Sequence, residues 1–220
     1  TDLWMFVTSG GGLTAGRVDP DSSIFPYDTV DKLHDARYHT GPVTLLRVRR
    51  GGWGPALWQP FAEPHRERDG LERNIYKTPL GHRVIFEEIN HELGLAFRYR
   101  WAGGDEFGWV RTATVENIVA LPVTIELLDG VRNVLPWGVS QALQQRTSNL
   151  VDAYKRSEVD PETGLAVFSL TAGISDRPEA LEVLRATTAF CHGLEDAQAH
   201  LDLAAVDAFR EGASPARGLR

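Results

Sequence analysis

Nine residues, LGLAFRYRW at positions 93–101, constrain this chain more than any other stretch. On an extended backbone Leu93, Leu95, Phe97, Tyr99 and Trp101 fall on one face, and Gly94, Ala96, Arg98 and Arg100 on the other. A period of two describes a strand with one buried face, whereas a helix would scatter the same side chains around its axis. The preceding HRVIFEEIN, residues 82–90, is rich in β-branched and aromatic residues. With His91 and Glu92 as a short connection, the two runs predict a hairpin. Arg98 and Arg100 are expected to face water or a second polar layer.

The pattern recurs downstream. In VRTATVEN, residues 110–117, threonines interleave with β-formers; the alternation resumes as Val123, Ile125 and Leu127 against Thr124 and Glu126. Asn117 suits the corner between them because its short amide can bond backbone groups, and Pro122 cannot donate to a central ladder. Asp129-Gly130 predicts a tight hairpin turn, with a bulge equally compatible. The sequence Asp160-Pro161-Glu162-Thr163-Gly164 predicts a further hairpin, with Gly164 in the left-handed position. Residues 180–190 read as another strand, with a helical turn as the competing reading. Two helices are expected: one in residues 139–150, capped by Ser140, and one over 194–212, where Leu194, Ala197, Leu201, Ala204 and Ala208 keep a helical period up to Gly212. Residues 19–42 read as a long surface excursion, and residues 213–220 carry no element. Roughly ten strand-like runs against two helices predict an all-β fold, a large two-sheet β-sandwich with one or two minor helices, formed by residues 1–220 as a single domain.

Composition narrows the function classes. A net charge of −7, with arginines scattered among acidic residues, argues against nucleic acid as a partner, because phosphate neutralisation needs a basic stripe. No apolar run approaches the roughly 20 residues that span a bilayer, so no membrane partner is expected. The N-terminus lacks the zones of a secretion signal, and cytoplasmic is the default expectation. Cys191 is the sole cysteine, which rules out an intrachain disulfide and a cysteine-based metal cluster. No cofactor is expected.

Candidate chemistry is sparse. Residues 8–16, TSGGGLTAG, invite a phosphate-loop reading, but the Lys-Ser/Thr ending is missing and a glycine turn after the strand LWMFVT accounts for them better. FEEINHEL groups Glu87, Glu88, His91 and Glu92 without the second histidine of a zinc protease; on a strand Glu87 and Glu88 point to opposite faces, predicting one surface carboxylate and one inward or capping carboxylate. VDPDSS lacks the glycine and closing glutamate of a calcium loop. Cys191 reads as a buried thiol. No catalytic or metal-binding residue is assigned. The tryptophans are the remaining candidates: Trp53, Trp58, Trp101, Trp109 and Trp137 lie in loops or at strand ends. Sugar rings stack their C–H faces on indoles, so these five are candidate carbohydrate-binding residues, with core or interdomain packing as the competing reading.

The run VRTATVENIVALPVTIELLDGVRNVLPWG, residues 110–138, resembles the β-supersandwich at the N-terminus of cellobiose-phosphorylase-like glycoside phosphorylases and hydrolases, where a strand ending in Asn, a short corner and an alternating strand recur. The opening LWMFVTSGGGLTAG and residues 77–101 look like the start of large bacterial proteins of that kind. The resemblance implies a fold similar to galactose mutarotase, with the catalytic acid in a following (α/α)6 barrel of the same polypeptide. No barrel-like helical repeat occurs in these residues, so no catalytic residue carries over. It further implies a non-catalytic accessory domain of a glycosyltransferase or hydrolase of carbohydrate metabolism, the N-terminal fragment of a longer protein. Its 194–212 helix would lead toward the downstream (α/α)6 domain, with an oligosaccharide and a homodimer as further candidate partners. Two alternatives stand beside it. One is a self-contained aldose epimerase using His82, His91 and Glu87 or Glu88, which requires these groups to converge in one pocket. The other is a pure assembly domain.

Overall fold

A computed structural model describes residues 2–52, 54–62, 70–175, 181–195 and 197–213. Its fold is mainly β, as the alternating segments predict, and every strand pairing in it is antiparallel. The first sheet holds β1 (Leu3–Val7), β2 (Leu13–Arg17) and β3 (Ser23–Phe25). A second, ordered β10-β4-β5, is built from β4 (Gly41–Arg49), β5 (Ala56–Trp58) and β10 (Thr124–Arg132). The third has four strands in sequence order, β6 (Leu71–Lys77), β7 (Arg83–Asn90), β8 (Leu95–Gly104) and β9 (Gly108–Asn117). The fourth contains β11 (Lys155–Val159), β12 (Ala166–Leu170) and β13 (Thr187–Ala189).

The strand LGLAFRYRW organises the interior. Leu95, Phe97, Tyr99 and Trp101 of β8 are buried, joined on the same face by Phe86 of β7 across the register pair Phe86↔Tyr99. Those two rings stack with centroids 4.8 Å apart. Opposite them lie Leu46 and Val48 of β4, Trp58 of β5, Leu13 and Ala15 of β2 and Phe25 of β3, so the four-stranded sheet packs face to face on the other two. Val123, Ile125 and Leu127 join this core as their alternation predicts. Arg98 and Arg100 point to the opposite, outer face. The second sheet is covered on its far side by α4 (Ala204–Arg210), whose Val206 and Phe209 pack on Val43 and Leu45. Burying a side chain of the size of Phe209 contributes about 1.5–3 kcal/mol. Where α4 ends, Gly212 takes φ +82 and the Arg47 guanidinium, lying over the Phe209 ring, donates to the Gly212 and Ala213 carbonyls. A cation there satisfies carbonyls left without intrahelical donors.

Local turn chemistry is as the residues dictate. β9 ends at Asn117, whose amide donates to Leu121 O at 2.9 Å while its oxygen accepts from Arg50. The β11–β12 hairpin closes through Asp160 N–H to Leu165 O and Gly164 N–H to Asp160 O, with Gly164 at φ +71. In α2 (Gln141–Arg146) the Ser140 hydroxyl accepts from Leu143 N–H, the N-cap expected of it, and α3 (Ser148–Tyr154) follows.

Four expectations fail. Asp129-Gly130 forms no turn: both lie inside β10, paired with Thr44 and Val43 of β4. Residues 19–42 are no surface excursion, because β3 and α1 (Val30–Ala36) bury Ser23, Phe25, Leu33 and Ala36. Gln141 N–H and Gln144 Oε1 also tie this segment to α2 through Asp21 and Tyr27. The helix expected over 194–212 is limited to Ala204–Arg210: Asp202 accepts from Ala204 N–H at its start, and Leu194, Leu201 and Leu203 before it are exposed, with no layer among the described residues to bury against. The strand reading of residues 180–190 holds only in shortened form, as β13 within the described residues 181–190. The α-helices number four among the described residues rather than one or two, each of seven residues or fewer. None is long and apolar enough to cross a membrane.

Candidate functional site

Strand β7 carries two adjacent carboxylates, and the pleat sends them to opposite faces. Glu88 points into the core, where it is 1% exposed. It accepts from Trp58 Nε1 at 2.9 Å, from Phe61 N at 2.9 Å and from Arg73 Nε at 2.6 Å. A buried carboxylate is tolerable only when its lone pairs are filled, and these three donors, from β5, the loop after it and β6, fill them. Glu88 therefore locks the β5 end of one sheet to the neighbouring sheet. Its role is structural.

Glu87 is the correction to the expected pair of one surface and one inward carboxylate, since it too is buried. On the outer face it accepts from Asn74, Tyr76 and Arg98, and Arg98 also pairs with Glu116. Burial alone would raise its carboxyl, but the bonds from Arg98, Asn74 and Tyr76 outweigh that and hold it below the usual carboxylate range. The phenol of Tyr76 is pushed up by its bond to Glu87, and Arg98 by its bonds to Glu116 and Glu87. The outer face of the four-stranded sheet is thus a ladder of paired charges laid over the strands.

Neither His82 nor His91 joins either carboxylate. His82 precedes the first residue of β7 and interacts with Thr78, whereas His91 follows its last residue and lies 3.5 Å from Glu72. At about 3.3 Å per residue the two are separated by roughly 30 Å of strand. His82, His91, Glu87 and Glu88 therefore share no pocket, and the acid–base arrangement of the epimerase alternative is not assembled. Among the described residues no group of three or more His, Cys, Asp or Glu side chains is placed to hold a metal ion. Cys191 is exposed, contrary to the expected buried thiol.

The described candidate tryptophans form no common platform. Trp58 and Trp101 are core residues, 5% and 4% exposed, and Trp101 makes an edge-on contact with Phe25. Both are corrected from candidate sugar-stacking surface to packing. Trp109 is half-buried against the same core. Trp137 alone of the described candidates is open to solvent, with the Arg185 guanidinium 4.9 Å from its ring centre. Trp53 lies outside the described residues.

Sequence reading missed a cavity of about 210 Å³ beside the glycine turn of residues 8–12. The turn itself is as expected, joining β1 to β2 with Gly11 at φ +84. Phe61, Phe97 and Tyr99 line the cavity floor, and burial pushes the Tyr99 phenol up. Three guanidinium groups, of Arg37, Arg132 and Arg210, line its wall. Arg132 donates to the carbonyls of Tyr38 and Arg37, both at 2.9 Å, and Arg37 donates to the Tyr38 hydroxyl at 2.5 Å. Arg210 pairs with Asp207 and Gln59. These arginines come from the end of α1, from β10 and from α4, and only the bare backbone of Gly10, against which Arg37 Nη1 would lie 2.8 Å from a Cβ, hints at the site in the sequence. Compared with known proteins, the chain matches no family model and no curated protein.

Proposed function

We propose that the chain is a non-catalytic accessory module of a carbohydrate-active enzyme of glycoside phosphorylase or hydrolase type, packing on a helical (α/α)6 domain of the same polypeptide. The mainly-β layered architecture is compatible with this reading, and the likeness of residues 110–138 to supersandwich domains motivates it. One observation carries the packing role. Between positions 181 and 203 the chain leaves Leu181, Leu184, Phe190, Leu194, Leu201 and Leu203 exposed, Leu184 at 88%. Phe190 meets the exposed Phe107 edge-on at 6.1 Å, which extends the apolar surface across the β8–β9 turn. Exposed apolar side chains gathered in one segment mark a contact surface, whereas single ones are ordinary. Carbohydrate contact is assigned to Trp137, whose ring is accessible at the rim of the α2–α3 subcore of Leu135, Val139, Val151 and Leu170.

The test has two arms. An oligosaccharide panel titrated against the chain is expected to quench tryptophan fluorescence, with the response lost in Trp137→Ala. The helical region encoded downstream in the same gene, expressed separately, is expected to bind the chain and to lose that binding in Leu184→Asp. A gene with no such region overturns the reading. A solution mass of about twice that of the chain, lost in Leu184→Asp, assigns the same surface to a second copy and to a pure assembly role.

A further inference from the structure

The cavity beside the glycine turn collects positive charge in a chain whose overall charge is negative. Among the described residues Arg37 and Arg132 have no carboxylate partner; their side-chain hydrogen bonds go to a tyrosine hydroxyl and to main-chain carbonyls. Arg210 adds a third guanidinium, only partly offset by the solvent-exposed Asp207. Burial, followed by the proximity of Arg210, holds the Arg132 guanidinium below its ordinary value, as expected of cations gathered without enough counter-charge. Such a gathering in a half-buried cleft is costly unless an anion completes it. Arginine is the side chain suited to that task, because its planar fork pairs two N–H groups with two oxygens of a carboxylate or phosphate.

We propose that this cavity binds a small organic anion through a phosphate or carboxylate group held by Arg37, Arg132 and Arg210, with a short carbon skeleton over Phe61, Phe97 and Tyr99. The size agrees. At about 30 Å³ per water in the liquid, the cavity holds roughly seven waters, the space of one oxyanion and a few carbons. The glycine turn has a part in it, since Gly10 without a Cβ lets the Arg37 side chain lie against the backbone. This inference is independent of the accessory-module reading above, because neither Trp137 nor any of the exposed leucines between positions 181 and 203 lines the cavity.

The test compares inorganic phosphate, acetate and chloride at equal ionic strength, by thermal melting and by calorimetric titration of the whole chain. Phosphate or acetate is expected to raise the melting temperature above the chloride control, and the responding anion identifies the group the site takes. Arg37→Gln is expected to weaken that binding about tenfold or more, since a charge-assisted hydrogen bond is lost. Arg132 also ties the α1–β4 link together, so Arg132→Gln is expected to lose stability as well as binding; the Arg37 side chain makes no such main-chain tie, and Arg37→Gln keeps the question decidable. Asp207→Asn removes the carboxylate paired with Arg210 and is expected to tighten binding. An equal effect of all three anions, or wild-type affinity in a folded Arg37→Gln chain, overturns the proposal.

Discussion

The indole Nε1 of Trp58 lies 2.9 Å from Glu88 Oε1, so an ionisable carboxylate is held between two sheets by a ring on β5, a backbone N–H and a guanidinium. Removing the acceptor leaves three inward-facing donors with less to bond. Glu88→Ala is expected to lower stability by about 3–5 kcal/mol, the usual cost of breaking one side of a buried charged network. Trp58→Phe keeps most of the ring but strips one donor, and is expected to cost about 1–3 kcal/mol. Urea unfolding of both variants and of the double variant measures this. The two losses should be less than additive, because they share one bond.

Arg111 of β9 reaches across the sandwich to Asp129 of β10 with two bonds, Nη1 to Oδ2 at 2.6 Å and Nη2 to Oδ1 at 2.9 Å, and also donates to Thr44 Oγ1 at 3.1 Å. Both side chains are mostly buried. The fork is what fits, so Arg111→Lys keeps the charge and loses the two-point match, at an expected cost of about 1–2 kcal/mol. Asp129→Ala leaves the guanidinium buried without its partner and should cost about 3–5 kcal/mol. Melting temperatures in the order wild type, Arg111→Lys, Asp129→Ala check this ranking. Equal melting of all three would show that the sheets do not depend on the bridge.

Glu87 gives the chain a signature in acid. Its folded-state value lies below the unfolded one because Arg98, Asn74 and Tyr76 outweigh burial, so its contribution is complete above the unfolded value of about 4.3. As pH falls from about 5 through the folded-state value, the carboxylate takes up a proton and that contribution disappears. Melting temperature followed from pH 7 downward should fall more steeply for wild type than for Glu87→Gln, and the Gln variant should start lower at pH 7. Parallel curves would mean that the carboxylate is no more stabilised in the folded chain than in the unfolded one.

These networks explain which parts of the structure could be read from the sequence. The β7–β8 hairpin, the Asn117 corner and the turn at Asp160 to Gly164 depend on neighbours in the chain, and period and turn chemistry suffice for them. Asp129-Gly130 has the local chemistry of a turn as well, but Arg111 and Thr44 hold that aspartate in the middle of a strand. Trp58 has the look of a loop indole until Glu88, from another sheet, supplies its acceptor. Arg37, Arg132 and Arg210 meet only after three distant elements pack, so no spacing announces them. The apparent helix period over 194–203 fails for the converse reason: leucines at helical spacing need a layer to cover, and Leu194, Leu201 and Leu203 have none within the described chain.

Close approach of backbone to backbone fixes where α1 sits, and it depends on Gly12. A Cβ placed there would lie 2.1 Å from the carbonyl oxygen of Leu33, a distance no side chain can occupy without the helix moving. Leu33 and Ala36 on the inner face of α1 are buried, and the end of α1 supplies Arg37 to the cavity wall, so a shift of the helix would both loosen the core and misplace the guanidinium. Gly12→Ala is therefore expected to destabilise the chain by about 1–3 kcal/mol through overpacking. Gly52→Ala, at a position with open space around it, is expected to be neutral within about 0.5 kcal/mol. Urea midpoints of the two variants separate the cases. If Gly12→Ala melts with wild type, the contact between α1 and β2 is looser than its geometry requires, and Arg37 would not be held in place by it.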